Sequence, residues 1–390
     1  MLTTLRLPKI FSNGAGGSVA STAADSGGDD DGGGLGQLDP QTVDPDFRSS
    51  RPTNRHGIVI NADRNNPTHW NLALTNEDAR AVQDTFAWSE MESTRGVYQF
   101  AALEAALEAC DEQGKRLVPL FSFSADTGSV NYCPAWALDQ ADGSYTVHTA
   151  SGAARRFPIT WRDPVLSQIK AFIVALGQRY NGDRRIEVIR VGGWQAGTNE
   201  PVVNDGGTFT DLKSVLSPLG IPFEADPSTR TALDGTDEYS VSVLQSGGLL
   251  ETWNTAFSRS VPAVTIKFAQ GGDSNNDWYQ ALIDKALALD LHMQQTGFNE
   301  GDKSDVRADA LAWRAAGARF AAGGTSGVGN HSSLTGEALW QEVVNQALGD
   351  DGNYAPRSRL THFLLNQATA STNGLKYASV MATLHMGLEA

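Results

Sequence analysis

The sequence predicts an α/β fold, a (β/α)8 barrel preceded by a flexible Gly/Asp-rich N-terminal arm. Three observations carry this. From Gly57 onward, apolar runs of strand length alternate with amphipathic helical segments, the pattern of repeated βα units. Eight such runs can be counted, with seven clear helical segments between or after them, which is the tally of a closed barrel. Residues 13–50, by contrast, are rich in Gly, Ser and Asp and hold too little apolar surface to fold alone.

In chain order, the short apolar stretch within residues 1–12 is read as a possible anchoring peptide and 13–55 as a flexible linker. Strands are expected at 57–62, 85–90, 116–124, 186–192, 264–270, 291–296, 318–323 and 360–366. Helices are expected at 100–113, 163–180, 248–260, 277–289, 303–316, 336–348 and 374–388, and only the first connection, 75–84, is weak as a helix. Two connections are long, 125–161 after the third strand and 201–245 after the fourth. Both leave the C-terminal ends of strands, where barrel enzymes build their sites. The first carries Tyr132, Trp136, Tyr145 and Trp161, candidate linings for sugar subsites; the second reads as a lid, an oligomer contact or surface decoration.

Composition narrows the function. With 390 residues, 40% apolar residues and nine tryptophans the chain has ample material for a core. A net charge of −15 without a dense basic patch argues against nucleic acid. No apolar run reaches membrane-spanning length, and the N-terminus lacks the continuous apolar region of a secretory signal. Two cysteines, Cys110 and Cys133, make no disulfide framework. The seven histidines form no H-x-H or H-E-x-x-H, so neither metal nor cofactor is indicated. A serine-hydrolase elbow is missing, and the glycines from Gly324 to Gly329 have neither P-loop nor dinucleotide spacing. They read as a tight loop or as a backbone cradle for a sugar or anion. The Asp273–Asp277 stretch imitates the start of a calcium loop but has Trp278 where glycine is needed, so it reads as helix capping.

The strongest chemical lead follows the fourth expected strand. Residues 186–191 (IEVIRV) read as a strand buried on both faces, followed by Gly192-Gly193-Trp194 and then Asn199-Glu200-Pro201. An indole face stacks on a pyranose, and a glutamic acid can protonate a glycosidic oxygen. The plainer alternative is a turn in which Pro201 holds Glu200 extended.

Residues 88–100 add a second pattern, with Trp88, Glu90, Glu92, Ser93, Gly96, Tyr98 and Phe100. This segment resembles the W-x-x-(I/L)-E-P-x-x-G-x-Y-x-F pattern of sugar-cleaving barrels, the transglycosidase superfamily and especially its β-galactosidase-like branch, with Ser93 in place of the usual proline. Arg179-Tyr180-Asn181-Gly182-Asp183 is similar to the "RY-x-G-D" that precedes the fourth strand there. The resemblance covers Trp88 to Pro201 and implies Glu200 as general acid, with Asn199 bonding the sugar 2-hydroxyl. It departs at the seventh strand, where the family's nucleophilic glutamate would stand: the sequence around 319–331 holds no carboxylate.

A second carboxylate is required by either glycosidase geometry. Glu300, in Phe298-Asn299-Glu300 after the sixth strand, is the candidate base of an inverting reaction. Glu337 suits a helix first turn better. Trp194, Trp88, Trp136, Glu90 and Asp63 join Asn199 as candidate substrate contacts, while Glu92 is expected to anchor its loop. The expected partner is an oligo- or polysaccharide, with a protein partner or homo-oligomer through residues 1–50. Two functions fit: a glycoside hydrolase, or an inactive glycan-binding spike of a phage-like particle tethered by its arm. The second would act outside the cell after lysis.

Overall fold

The structure is a computed structural model; it describes residues 57–124, 132–148, 154–191, 212–221, 236–267, 276–298, 320–324 and 360–366. The anchoring peptide, the linker, most of 201–245 and the three helices expected beyond residue 300 lie outside the described residues.

Eight parallel strands close into a ring. They are β1 (Gly57–Asn61), β2 (Ala79–Ala87), β3 (Arg116–Ser122), β6 (Ile189–Val191), β7 (Pro262–Lys267), β8 (His292–Phe298), β9 (Phe320–Gly324) and β10 (Leu360–Asn366), and β10 pairs back onto β1 with Asn366 opposite Asn61. Between successive barrel strands lie α1 (Pro67–Thr75), α3 (Ala101–Glu112), α5 (Val165–Tyr180), α8 (Leu249–Ala256) and α9 (Asn276–Ala288). Short helices α2 (Trp88–Met91), α4 (Ala135–Leu138), α6 (Leu212–Leu216) and α7 (Glu238–Leu244) and the antiparallel pair β4 (Ser144–His148) and β5 (Ala154–Pro158) sit in the connections.

Strand alternation explains the packing. Phe86, Phe121 and Phe123 face the helices, with Phe121 centred 5.8 Å from Trp253 of α8 and Phe123 5.8 Å from Phe172 of α5. Val59, Ala81, Val118, Val188, Val261 and Ala263 make a separate small cluster inside the barrel. α5 and α8 come so close that a Cβ on Gly177 would lie 2.5 Å from the Ala256 carbonyl oxygen. Below the barrel, the buried Glu187 accepts from Arg80 Nε at 2.9 Å and Arg116 Nη1 at 3.3 Å, tying β2, β3 and the approach to β6 together.

Three expectations are corrected. The second strand starts at Ala79 rather than Thr85, and Trp88–Met91 is helical. Arg80, Gln83 and Asp84 interrupt the apolar run that would have announced the earlier start of the strand. The first crossover helix lies earlier, over Pro67–Thr75, where the Asn66 side chain accepts from His69 N and Pro67 occupies a position whose N–H needs no partner. The fourth strand is regular only over Ile189–Val191, with a single bridge, Leu117 to Ile186, before it.

The two long connections pack on each other where they are described. Trp161 meets Tyr239 edge-on at 5.9 Å, its indole N–H reaches Leu219 O at 3.4 Å, and Arg162 pairs with Glu238. Tyr145 stacks on Phe157 at 5.6 Å and also contacts Trp161. Tyr145 and Trp161 are therefore the buried centre of this unit, not sugar-facing surfaces. The described parts join the main hydrophobic core, the one that holds Phe121, Phe172 and Trp253, rather than forming loose decoration.

Candidate active site

All eight strands run the same way, so their C-terminal ends open on one side of the ring, the side on which barrel enzymes place their chemistry. Beneath that opening a belt of polar side chains crosses the interior. Gln83 Nε2 donates to Asn61 Oδ1 at 3.2 Å, Arg190 Nη1 donates to Gln83 Oε1, and Arg190 Nη2 donates to Thr265 Oγ1 at 2.5 Å. Arg190 thus reaches from β6 past β3 to β2 while being only 1% exposed. Read as part of an apolar run, Arg190 gave no warning of this; its even spacing from Val188 was the available signal.

The rim over β1 and β2 is charged. Asp63 Oδ1 accepts from Asn65 N at 2.9 Å, which shapes the turn after β1, and Asp63 itself is exposed. Arg64 Nη1 donates to Asp84 Oδ2 and to Thr85 O, both at 2.7 Å, and Nη2 donates to Glu90. The guanidinium lies 4.3 Å from the Phe86 ring centroid. Because Phe86 faces the helix layer, the Arg64–Glu90 pair sits over the outer side of β2 rather than over the barrel axis. Burial pushes the Asp84 carboxyl up to about 6, against the pull of the Arg64 charge and hydrogen bond.

Trp88 is fully buried, edge-on to Trp136 at 5.3 Å and to Phe123 at 5.8 Å. Its N–H donates to Glu92 Oε2 at 2.6 Å, while Glu92 Oε1 accepts from Gly96 N at 2.7 Å. The half-buried Trp136 donates its indole N–H to Glu92 O at 2.8 Å. Trp88 is therefore taken up by protein, its ring packed on Phe123, Trp136 and Phe172 and its N–H on Glu92, a correction of its expected role as a sugar contact. Gly96, at φ 74°, makes the reversal that brings its N–H onto Glu92.

The RYNGD segment is likewise structural. Arg179 and Tyr180 both donate to Glu104 Oε1, and Arg185 joins Glu104 to the buried Asp183. Burial alone would raise the Glu104 carboxyl, but these donors hold it below its ordinary value. The network fastens α3 to the turn that leads into β6. It sets where the fourth strand begins.

Trp194, Asn199, Glu200 and Glu300 lie outside the described residues. The described strands give their points of departure: β6, the fourth strand of the ring, ends at Val191, and β8, the sixth, ends at Phe298. Cys110 and Cys133 are buried, and burial pushes the Cys110 thiol up to about 12. Among the described residues, no three His, Cys, Asp or Glu side chains gather where they could hold a metal, and no helix is long and apolar enough to cross a membrane.

No family model matches the chain, and no curated protein matches it in sequence. Solved structures do match by shape. The catalytic domain of β-amylase from Paenibacillus polymyxa superposes with a TM-score of 0.55 at 13% identity, over 86% of this chain and 98% of that one. A glycosylated endo-β-1,4-xylanase from Gloeophyllum trabeum gives 0.47 at 10% identity, over 86% and 96%. A xylanase from Paenibacillus barcinonensis gives 0.43 at 14%, over 80% and 83%. At such identities it is the fold that is shared: a parallel α/β barrel of the kind on which the β-amylase domain is built.

Proposed function

We propose that this chain is a carbohydrate-recognising barrel of the glycoside-hydrolase type, acting on an oligo- or polysaccharide with Glu200 as general acid. The observation that carries the reading is the rank of β6. It is the fourth strand of a closed parallel ring, and it leads directly into Gly192-Gly193-Trp194 and Asn199-Glu200. The likeness in fold to a β-amylase catalytic domain supports the same reading. In it, the protonated Glu200 donates its proton to the glycosidic oxygen as the bond breaks, and Asn199 bonds a sugar hydroxyl. Trp194 and Trp136 supply apolar faces, Asp63 a hydroxyl acceptor at the rim, and Glu300, after the sixth strand, activates water on the opposite face of the sugar. Glu90, paired with Arg64 over the outer side of β2, drops out of the expected contacts.

The test is a pair of variants, Glu200→Gln and Glu300→Gln, assayed for release of reducing ends from a polysaccharide panel, with proton NMR of the first-formed anomer. Both variants should lose turnover while oligosaccharide binding persists, and the product should be inverted. An unchanged rate in Glu200→Gln removes that residue from the mechanism.

One observation favours a second reading, binding without cleavage. The seventh strand, Phe320–Gly324, runs into Thr325-Ser326 and has no carboxylate at its end. In this reading the barrel is a glycan-binding spike of a phage-like particle, held by residues 1–50, and repetition on the particle raises avidity. Deleting residues 1–50 should then abolish incorporation into the particle and leave glycan binding intact.

A further inference from the structure

Ser124 lies just beyond the C-terminal end of β3. Its neighbours fix its direction. Phe121 packs on Trp253, and Phe123 packs on Trp88 and Phe172, so both rings face the helix layer. Alternation then turns Ser122 and Ser124 to the inside of the ring. The strand beside β3 is β6, with Leu120 opposite Arg190, and β6 is the strand that leads into Asn199-Glu200.

The Ser124 side chain is fully buried, and its hydroxyl oxygen has no hydrogen-bond partner among the described residues. Only its backbone is engaged, Ser124 O accepting from Tyr132 N at 3.1 Å. A buried hydroxyl without a partner carries an uncompensated desolvation cost, and alanine would fill the same space without it. Such a group, kept at the open end of a barrel, is explained if its partner arrives with a ligand.

We infer that the Ser124 hydroxyl is a substrate-binding group, hydrogen-bonding a sugar hydroxyl at the C-terminal end of β3, beside the fourth strand. The inference rests on the carbohydrate reading proposed above and adds a residue to it. It gives stability and affinity opposite responses to one substitution, which a packing role does not.

The experiment uses the full chain, Ser124→Ala and Glu200→Gln. Thermal unfolding is measured for each, and calorimetric titration is run with maltohexaose, cellohexaose, xylohexaose and mannohexaose. Ser124→Ala should show an unchanged or higher Tm and bind the oligosaccharide that the wild type prefers about 5–20-fold more weakly, the loss of one ligand hydrogen bond. Glu200→Gln should bind it as the wild type does. Affinity within twofold of wild type in Ser124→Ala, or a lowered Tm, overturns the inference and leaves the carbohydrate reading standing. Failure of the wild type to bind any of the four overturns both.

Discussion

The indole N–H of Trp88 donates to Glu92 Oε2 at 2.6 Å inside the protein, and the other carboxylate oxygen of Glu92 accepts from Gly96 N at 2.7 Å. One carboxylate thus satisfies the buried Trp88 donor and the backbone N–H of the exposed Gly96, fixing the path of the connection between β2 and α3. Glu92→Gln can accept from only one of them, because its amide nitrogen is itself a donor. The substitution is expected to cost about 1–3 kcal/mol, read as a lower midpoint in urea unfolding. An unchanged midpoint would mean that the loop is held by other contacts.

Asp84 makes stability depend on pH in a direction opposite to that of an ordinary salt-bridged carboxylate. Its carboxyl rises from 3.8 to about 6 on folding, chiefly through burial, although Arg64 partly opposes the shift. The folded state therefore binds a proton more tightly than the unfolded chain. Stability from this group is full below about pH 4, declines as pH rises through 6, and is flat above, a change of about 3 kcal/mol at most. Asp84→Asn, which keeps an acceptor for Arg64 but cannot ionise, should flatten the profile between pH 4 and 7. Chemical unfolding at each pH reads this directly, and an Asn variant with the wild-type slope would assign the slope elsewhere.

Arg190 holds Gln83 and Thr265 across the barrel interior. Removing its guanidinium leaves two buried acceptors without these donors, so Arg190→Leu is expected to cost about 2–4 kcal/mol. Combining it with Gln83→Leu should cost less than the sum of the two, since Gln83 then has no acceptor to satisfy; the coupling expected for contacting residues is about 0.5–3 kcal/mol. Strict additivity would show that the belt is not a connected unit.

Gly177 sets helix propensity against packing. Alanine would gain about 1 kcal/mol in a helix interior. Here its Cβ would meet the Ala256 carbonyl at 2.5 Å, a backbone atom that cannot rotate away. Overpacking of that kind costs about 1–3 kcal/mol, so Gly177→Ala should be net destabilising. A raised Tm would show that α5 and α8 can separate without loss.

The barrel was legible because a parallel sheet buries both faces of its strands, and long apolar runs survive even sequence-only reading. The misplaced start of β2 shows where this fails. Gln83 and Thr265 look like loop or surface residues until a ring closes and Arg190 crosses it. The aromatic candidates failed for a related reason. Trp88, Tyr145 and Trp161 have the composition of sugar platforms, but whether an indole faces solvent or a phenylalanine depends on the tertiary neighbours. Glu92 was read correctly as a loop anchor because its spacing to Gly96 is local. Ser124 had no sequence signal, since an unpartnered hydroxyl is defined only by what surrounds it.

The central claim is that Glu200 delivers a proton to the leaving oxygen. It is tested most directly by comparing the loss of turnover in Glu200→Gln on the cleaved polysaccharide with the loss on a dinitrophenyl glycoside of the same sugar, whose leaving group needs no protonation. General acid catalysis contributes about 10²–10⁴-fold, so the loss on the polysaccharide should be of that order and the loss on the activated glycoside far smaller. Equal losses on the two, or none on either, would contradict the assignment of Glu200 as the acid.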